Sequence, residues 1–405
     1  MIAIGRLIAL LFSLATVPIV ARALGPDGRG IAASMLAIIA VGQVLFGLGI
    51  PLAVRRRVVS GEQRPDVMKT ARLYAALTAL PCLAIALLLD RAFFADQTLT
   101  TRVAFYISMM LIPLSISWAA DVSVLVATKE YLRMAILGVT QAASSFVVIV
   151  SIWATGNLTI SSVLYATLGG NIATFIMGLY WVRMKSGKIQ DFWGMAREGS
   201  TLAGGQLAAI ASGRIDQIMI LPILGPTGAG LYSIALTVGT LPTPISQAVG
   251  ASSFAAMSTG NQNHILRSIR QGAALCILTA CILSVVAYFA IPIIFGDAFT
   301  EAVPAAIIMV TSSIFTGIAF IASMALAGQK KGTVMTAVQV AGLAVGLILL
   351  FPLSYILGII GAALAMTTGA ITTMILALNR LRLTPFDAIP RKHDWSKSIR
   401  ELFKL

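Results

Sequence analysis

Charge is scarce in this chain, and negative charge is scarcest. Of 405 residues, 11% are Asp, Glu, Lys or Arg, where an ordinary soluble domain has about 25%. That poverty argues against both a soluble globular enzyme and a disordered chain. Histidine and cysteine are nearly missing too, at two and three residues. Cys82, Cys276 and Cys281 lie inside apolar runs with no CxxC pair, and His264 and His393 stand alone in polar segments. Neither a disulfide framework nor a zinc site is expected, and no cofactor is implied. GxSxG and GxxxxGK(S/T) do not occur, so the common hydrolase and nucleotide-binding signatures are missing.

What fills the chain instead is apolar: 58% of it is hydrophobic. A membrane helix needs about 20 mostly apolar residues. Twelve such stretches can be read, near 2–21, 30–53, 71–89, 103–126, 132–154, 158–181, 200–222, 229–251, 272–294, 303–326, 333–353 and 358–379. The expected fold class is an all-α membrane protein.

The chain also repeats itself. Leu24-Gly25-Pro26-Asp27-Gly28-Arg29-Gly30 and Leu224-Gly225-Pro226-Thr227-Gly228-Ala229-Gly230 both read LGPxGxG, 200 residues apart. The same offset relates Ala127 to Ala327, and Leu164, Thr167 and Gly169 to Leu364, Thr367 and Gly369. The expected organisation is an N-terminal six-helix lobe at 1–185, a linker at 186–199, a C-terminal six-helix lobe at 200–385 and a basic tail at 386–405. An even number of passes per half keeps both halves in one orientation, related by a pseudo-two-fold axis along the membrane normal. The motif itself reads as helix stop, tight turn and helix start, which Gly and Pro supply without any ligand.

The formal net charge of +14 would suggest nucleic acid if the basic residues were scattered. They are sorted. Twenty-three of the 29 Lys and Arg fall in the tail and in connections on one side, and only Arg22, Arg29, Arg91 and Arg102 fall on the other. By the positive-inside rule both termini are cytoplasmic, and no nucleic-acid partner is needed. The linker at 182–199 mixes basic residues with Phe192, Trp193 and Met195. It reads either as an amphipathic helix at the membrane surface or as a plain polar linker.

Four ionisable residues fall within spans: Arg6, Asp121, Arg214 and Asp216. Each costs about 2.5–3.5 kcal/mol at mid-membrane on insertion scales, so such groups face an aqueous cavity or a partner. Gln206, Gln217, Arg214 and Asp216 cover a helix face about 160° wide. Under the repeat, Arg6 corresponds to Gln206. Arg6, Arg214, Gln206 and Gln217 are therefore the expected substrate-binding residues of a central cavity. Arginine suits bidentate capture of phosphate oxygens. Asp121 and Asp216 either pair with basic groups or bind a coupling proton or sodium ion.

The segment from Val20 to Gly30, with its echo in Arg214-Ile215-Asp216, Leu224-Gly225-Pro226 and Gly228-Ala229-Gly230-Leu231-Tyr232, resembles the polysaccharide transporter family. These are the O-antigen and exopolysaccharide flippases of the multidrug/oligosaccharidyl-lipid/polysaccharide (MOP) superfamily. The resemblance implies two six-helix lobes in a V shape. It also implies alternating-access transfer of an undecaprenyl-diphosphate-linked oligosaccharide across the bacterial inner membrane, alongside other polysaccharide-assembly proteins. Lipid II flippases of the superfamily carry two further C-terminal helices, which are not seen before Leu405. Multidrug exporters commonly place an acidic residue in the first helix, where this chain has Arg6. An ion-coupled small-molecule exporter is the alternative. A membrane-embedded enzyme acting on polyprenyl lipids would need an acid–base cluster at one membrane face, which the sequence does not display.

Overall fold

The computed structural model describes residues 2–182, 187–329 and 331–391, without the side chains at 2–4, 205, 206, 208, 209, 211, 212 and 255. The described residues form helices and connections, with no strand. In chain order the helices are α1 (Ile2–Gly47), α2 (Ile50–Val59), α3 (Arg64–Leu77), α4 (Ala79–Phe93), α5 (Leu99–Met110), α6 (Ile112–Ala127) and α7 (Tyr131–Ala154). There follow α8 (Ile160–Trp181), α9 (Phe192–Gly239), α10 (Thr243–Ser258), α11 (Gln262–Phe295), α12 (Val303–Gly328) and α13 (Gly332–Arg380).

Nine helical stretches among the described residues are long and apolar enough to cross a membrane. Three of these, Gly5–Gly47, Gly213–Phe254 and Gly332–Arg380, run 43, 42 and 49 residues, about twice what one crossing needs. Each is broken at a glycine of positive φ: Gly25, Gly225 and Gly358. Each therefore supplies two passes, and the twelve passes read from hydropathy result.

The LGPxGxG copies are the first two of these breaks. Gly25 has φ 65°, ψ −177° and Gly225 has φ 72°, ψ −177°, a region open essentially to glycine alone. Pro26 and Pro226 follow as first helical residues, where a missing N–H does no harm. Gly28 and Gly228 have a different reason. A Cβ there would come within 2.8 Å of the Leu24 Cβ and 2.5 Å of the Leu224 Cβ respectively. The expected turn has thus shrunk to one residue, and the flanking positions are helical. Arg29, read from the sequence as part of a connection, lies inside a helix for this reason.

The chain divides into two compact units, Met1–Ile218 and Met219–Leu405. The division falls inside α9, not in the linker, because the linker is bonded to the first unit. Asp66 accepts from the Lys188 backbone N–H at 2.7 Å and from the Gln190 Nε2 at 2.8 Å. Lys69 donates to the Gly187 carbonyl at 2.8 Å. The amphipathic character expected near Phe192 belongs to the opening turns of α9, where Phe192 packs on Tyr74 and Trp193 is exposed. Arg183, Met184, Lys185 and Ser186 lie outside the described residues, as do the tail positions from 392 onward. The lobes at 1–185 and 200–385 remain a proposal about the sequence repeat.

In the first unit α1 packs on α7 and α8, and α3–α4 runs beside α5–α6. Ile50, Met68, Ala71, Val124 and Leu125 form a buried cluster where α2, α3 and α6 meet. In the second unit α11, α12 and α13 enclose Ile265, Ile269, Ile321, Leu326 and Leu378. The two arms of α13 approach closely enough that a Cβ on Gly342 would sit 2.7 Å from the Gly369 carbonyl oxygen. Small residues at such crossings let helices touch backbone to backbone, which is how membrane helices gain packing.

Candidate functional site

The first unit holds a basic cluster on α1 and α9. Arg29 lies four residues beyond the Gly25 break and is only 9% exposed. Its repeat counterpart, Ala229, is 2% exposed. The position is thus buried in both copies, and one copy fills it with a cation where the other uses a methyl group. Burying a lone charge is expensive unless something pairs with it. The Nε of Arg29 has no hydrogen-bond acceptor, and the guanidinium of Arg214 acts on it electrostatically as a second cation.

Arg214 is exposed, and its Nη1 donates to Gln217 Oε1 at 3.3 Å, one turn along α9. Gln217 is 5% exposed and Asp216 2%. The Gln217 carbonyl accepts from Ser34 Oγ at 3.3 Å, which ties α1 to α9 beside the cluster. The polar face read from the sequence is therefore divided, with Asp216 and Gln217 inside and Arg214 turned outward. The Gln206 side chain lies outside the described residues. Arg6 is exposed, 19 residues before Gly25 in the numbering, or about 28 Å along the helix. It stands near the opposite end of that pass from Arg29.

Asp121 belongs to a different place. It is fully buried on α6 and accepts from Arg72 Nη2 of α3 at 2.8 Å. Its Oδ2 and the Nε of Arg72 have no hydrogen-bond partner. Gly178 of α8 leaves the room, since a Cβ there would press on the carboxylate, 3.1 Å from its carbon. Of the two roles read for Asp121, this geometry displays charge pairing.

A second ionic knot gathers around Arg57 of α2. Its Nη2 donates to Asp191 at 2.8 Å and its Nε to Glu198 at 3.0 Å, with Glu62 at 3.7 Å. Partial burial works against the Arg57 charge, but the hydrogen bonds to Asp191 and Glu198 outweigh it and raise the Arg57 pKa. The hydrogen bond from Arg57 holds the Asp191 carboxyl below its ordinary range. The described residues contain no cluster of three His, Cys, Asp or Glu side chains able to hold a metal.

Among the charges that sequence reasoning placed in connections and the structure places in helices, Arg29 and Arg72 are the two that bear on these sites. For Arg29 a signal existed: the repeat aligns it with an alanine. For Arg72 the signal was indirect, in that Asp121, deep in a span, needs a cation from a neighbouring helix.

The fold is that of MOP-superfamily transporters. The chain is similar to the lipid II flippase MurJ in an inward closed conformation. The TM-score is 0.78 at 14% identity, covering 100% of this chain and 91% of that one. It is also similar to a multidrug resistance MATE family transporter in an inward-facing conformation. There the TM-score is 0.74 at 16% identity, covering 92% and 94%. A third neighbour is a MOP transporter from Pyrococcus furiosus described as having a binding pocket of reversed polarity. It has a TM-score of 0.59 at 14% identity, covering 99% and 93%. No curated protein sequence matches the chain. The chain belongs to the polysaccharide biosynthesis protein family, whose pattern it matches over residues 1–260.

Proposed function

We propose that this protein is a flippase that moves a polyprenyl-diphosphate-linked oligosaccharide, such as an O-antigen precursor, across the bacterial inner membrane by alternating access. The observation that carries this reading is the buried Arg29 beside Arg214. Two guanidinium groups within electrostatic reach of each other, one of them desolvated, repel each other, and an anion with several oxygens bound by both relieves that repulsion. A diphosphate is such an anion. Family membership in polysaccharide biosynthesis and the fold shared with a lipid II flippase support the same substrate class.

In this reading Arg29 and Arg214 bind the diphosphate and Gln217 orients Arg214. Arg6 and Gln206 line the route on the cytoplasmic side, where the basic connections set the orientation. Asp216 is the group for a coupling proton or sodium ion, and Asp121 is a charge pair with Arg72. A multidrug exporter is the second reading, favoured by the MATE fold likeness alone.

Purified protein in proteoliposomes, loaded with labelled lipid-linked oligosaccharide, tests the assignment. Arg29→Ala and Arg214→Ala are each expected to weaken substrate binding about ten- to a hundredfold, since a hydrogen bond to a charged group is worth about 1.5–3 kcal/mol. In cells, Arg214→Ala abolishes surface glycan while the protein stays inserted, and a deletion strain accumulates cytoplasm-facing lipid-linked oligosaccharide. Normal glycan in both variants, or export of a cationic drug by the wild type, overturns the reading.

A further inference from the structure

The segments that follow the sixth and twelfth passes are both docked through backbone bonds. Thr70 Oγ accepts from the Gln190 backbone N–H at 3.1 Å. Arg270, 200 residues further along the sequence, donates from Nε to the Asp387 carbonyl at 2.7 Å. In the second unit Gln262 Nε2 also donates to the Leu381 carbonyl at 3.3 Å. Leu381, Leu383 and Ala388 are buried against Ile265 and Ile269 of α11. Thr384 donates to Asp387 Oδ2 from its backbone N–H at 2.9 Å and from its hydroxyl at 2.8 Å, closing the short 3₁₀ turn Pro385–Ala388. The segment from Leu381 to Arg391 is thus held to the second unit by its backbone and its apolar side chains.

The two segments differ in charge. Around the first, Asp191 and Glu198 take up Arg57. Around the second, Asp387 is the one acid in the sequence at 255–270, 326–335 and 378–391, where α11 opens, α12 meets α13, and α13 closes. Its carboxylate is already engaged by Thr384. Arg267, Lys331, Arg380, Arg382 and Arg391 are exposed at this end of the unit. The same segment turns two apolar side chains outward, Phe386 at 81% exposure and Ile389 at 58%.

Depth decides what meets this surface. The apolar span of α11 begins near residue 272, two residues beyond Arg270, or about 3 Å along the helix. The headgroup layer on each side of a bilayer is about 5–8 Å thick. A segment bonded to Arg270 therefore lies at headgroup level. Cations beside exposed apolar side chains, at that depth, match a layer of anionic headgroups over acyl chains. A protein partner would have to displace lipid to reach the same surface.

We infer that Leu381–Arg391 is a docking surface for anionic phospholipids, with its arginines on the headgroup phosphates and Phe386 and Ile389 inserted at the top of the acyl layer. The inference concerns the second unit alone and does not depend on which substrate the protein carries.

The experiment places the full chain in nanodiscs of phosphatidylcholine, with or without phosphatidylglycerol. It follows modification of an Ile389→Cys reporter by an uncharged polyethylene-glycol maleimide, above the background of the unsubstituted chain. Phosphatidylglycerol is expected to slow the reporter about tenfold, the equivalent of one or two basic side chains held at an anionic surface. A Gln63→Cys control, exposed at the start of α3, keeps its rate. Adding Phe386→Ser to the reporter, or replacing Arg380, Arg382 and Arg391 together by Gln, removes most of the slowing. All four positions are exposed, so these changes leave the packing intact. Equal reporter rates in the two lipids overturn the proposal. So does a slowing that survives both changes, or one that the control shares in full. Equal rates in both lipids with slowing by added polyglutamate would assign the surface to an acidic protein partner instead.

Discussion

Asp90 and Asp121 are both carboxylates with no exposed surface, each held by an arginine across the same pair of neighbouring helices, α3–α4 and α5–α6. They differ in how completely they are satisfied. Asp90 receives Arg102 Nε on both oxygens at 3.0 Å, Arg102 Nη2 at 2.5 Å and the Tyr106 hydroxyl at 2.6 Å. Asp121 receives one bond from Arg72, on one oxygen, and leaves the other without a partner. Low dielectric strengthens a complete network and penalises an incomplete one. The Asp90 cluster sits beside the short connection at 94–98 and staples the hairpin shut. The Asp121 pair sits where α3, α6 and α8 converge, and its cohesion depends on one contact. Similar residues at similar burial thus do different physical work.

The largest expected effect is at the weaker of the two. Arg72→Ala leaves Asp121 buried and unpaired, which should destabilise the protein by about 3–5 kcal/mol, measured by unfolding in detergent. The double variant Arg72→Met with Asp121→Leu should recover most of that loss, because both charges are then gone. A double variant as unstable as the single one breaks the comparison.

At the stronger site the effect should be smaller. Tyr106→Phe removes one donor of several and leaves the Arg102 bonds in place, so a loss of about 1 kcal/mol is expected. A loss as large as that of Arg72→Ala would mean that Asp90 is no better satisfied than Asp121.

The smallest effect belongs to the solvent-facing Asp191, paired with the buried Arg57. Because the Asp191 carboxyl titrates below its ordinary value, its contribution is complete above about pH 4, the free carboxylate range. It is lost as the pH falls further and the carboxyl protonates. Limited proteolysis of the linker at 187–191 should therefore be flat from neutral pH down to about pH 4 and rise only below it. A rise already at pH 6 would assign the docking to another group.

The twelve passes and the breaks at Gly25 and Gly225 were legible because hydropathy and Gly-Pro pairs are local signals, whereas the break at Gly358, followed by Ile359, showed only as a gap between two hydropathy spans. The basic cluster was legible in part. Arg214, Asp216 and Gln217 lie in the middle of a span, where a boundary error of two to four residues changes nothing. Arg29 and Arg72 lie near span ends, where such an error moves a residue from water into the helix packing. Asp121 was visible as a buried charge, but its partner is 49 residues away and no periodicity within one helix points to it.

The single-residue breaks carry one more consequence. At Gly25 and Gly225 the torsions, reflected in a mirror, are those of an ordinary extended residue. At these two tips the chain uses the conformation natural to the opposite hand. An L-alanine at either position would find open space around its methyl group, with no atom within 4 Å, and would still be rejected on torsion alone. A D-alanine introduced by chemical ligation would fit without strain. The hairpin tips are selected by stereochemistry, not by what surrounds them.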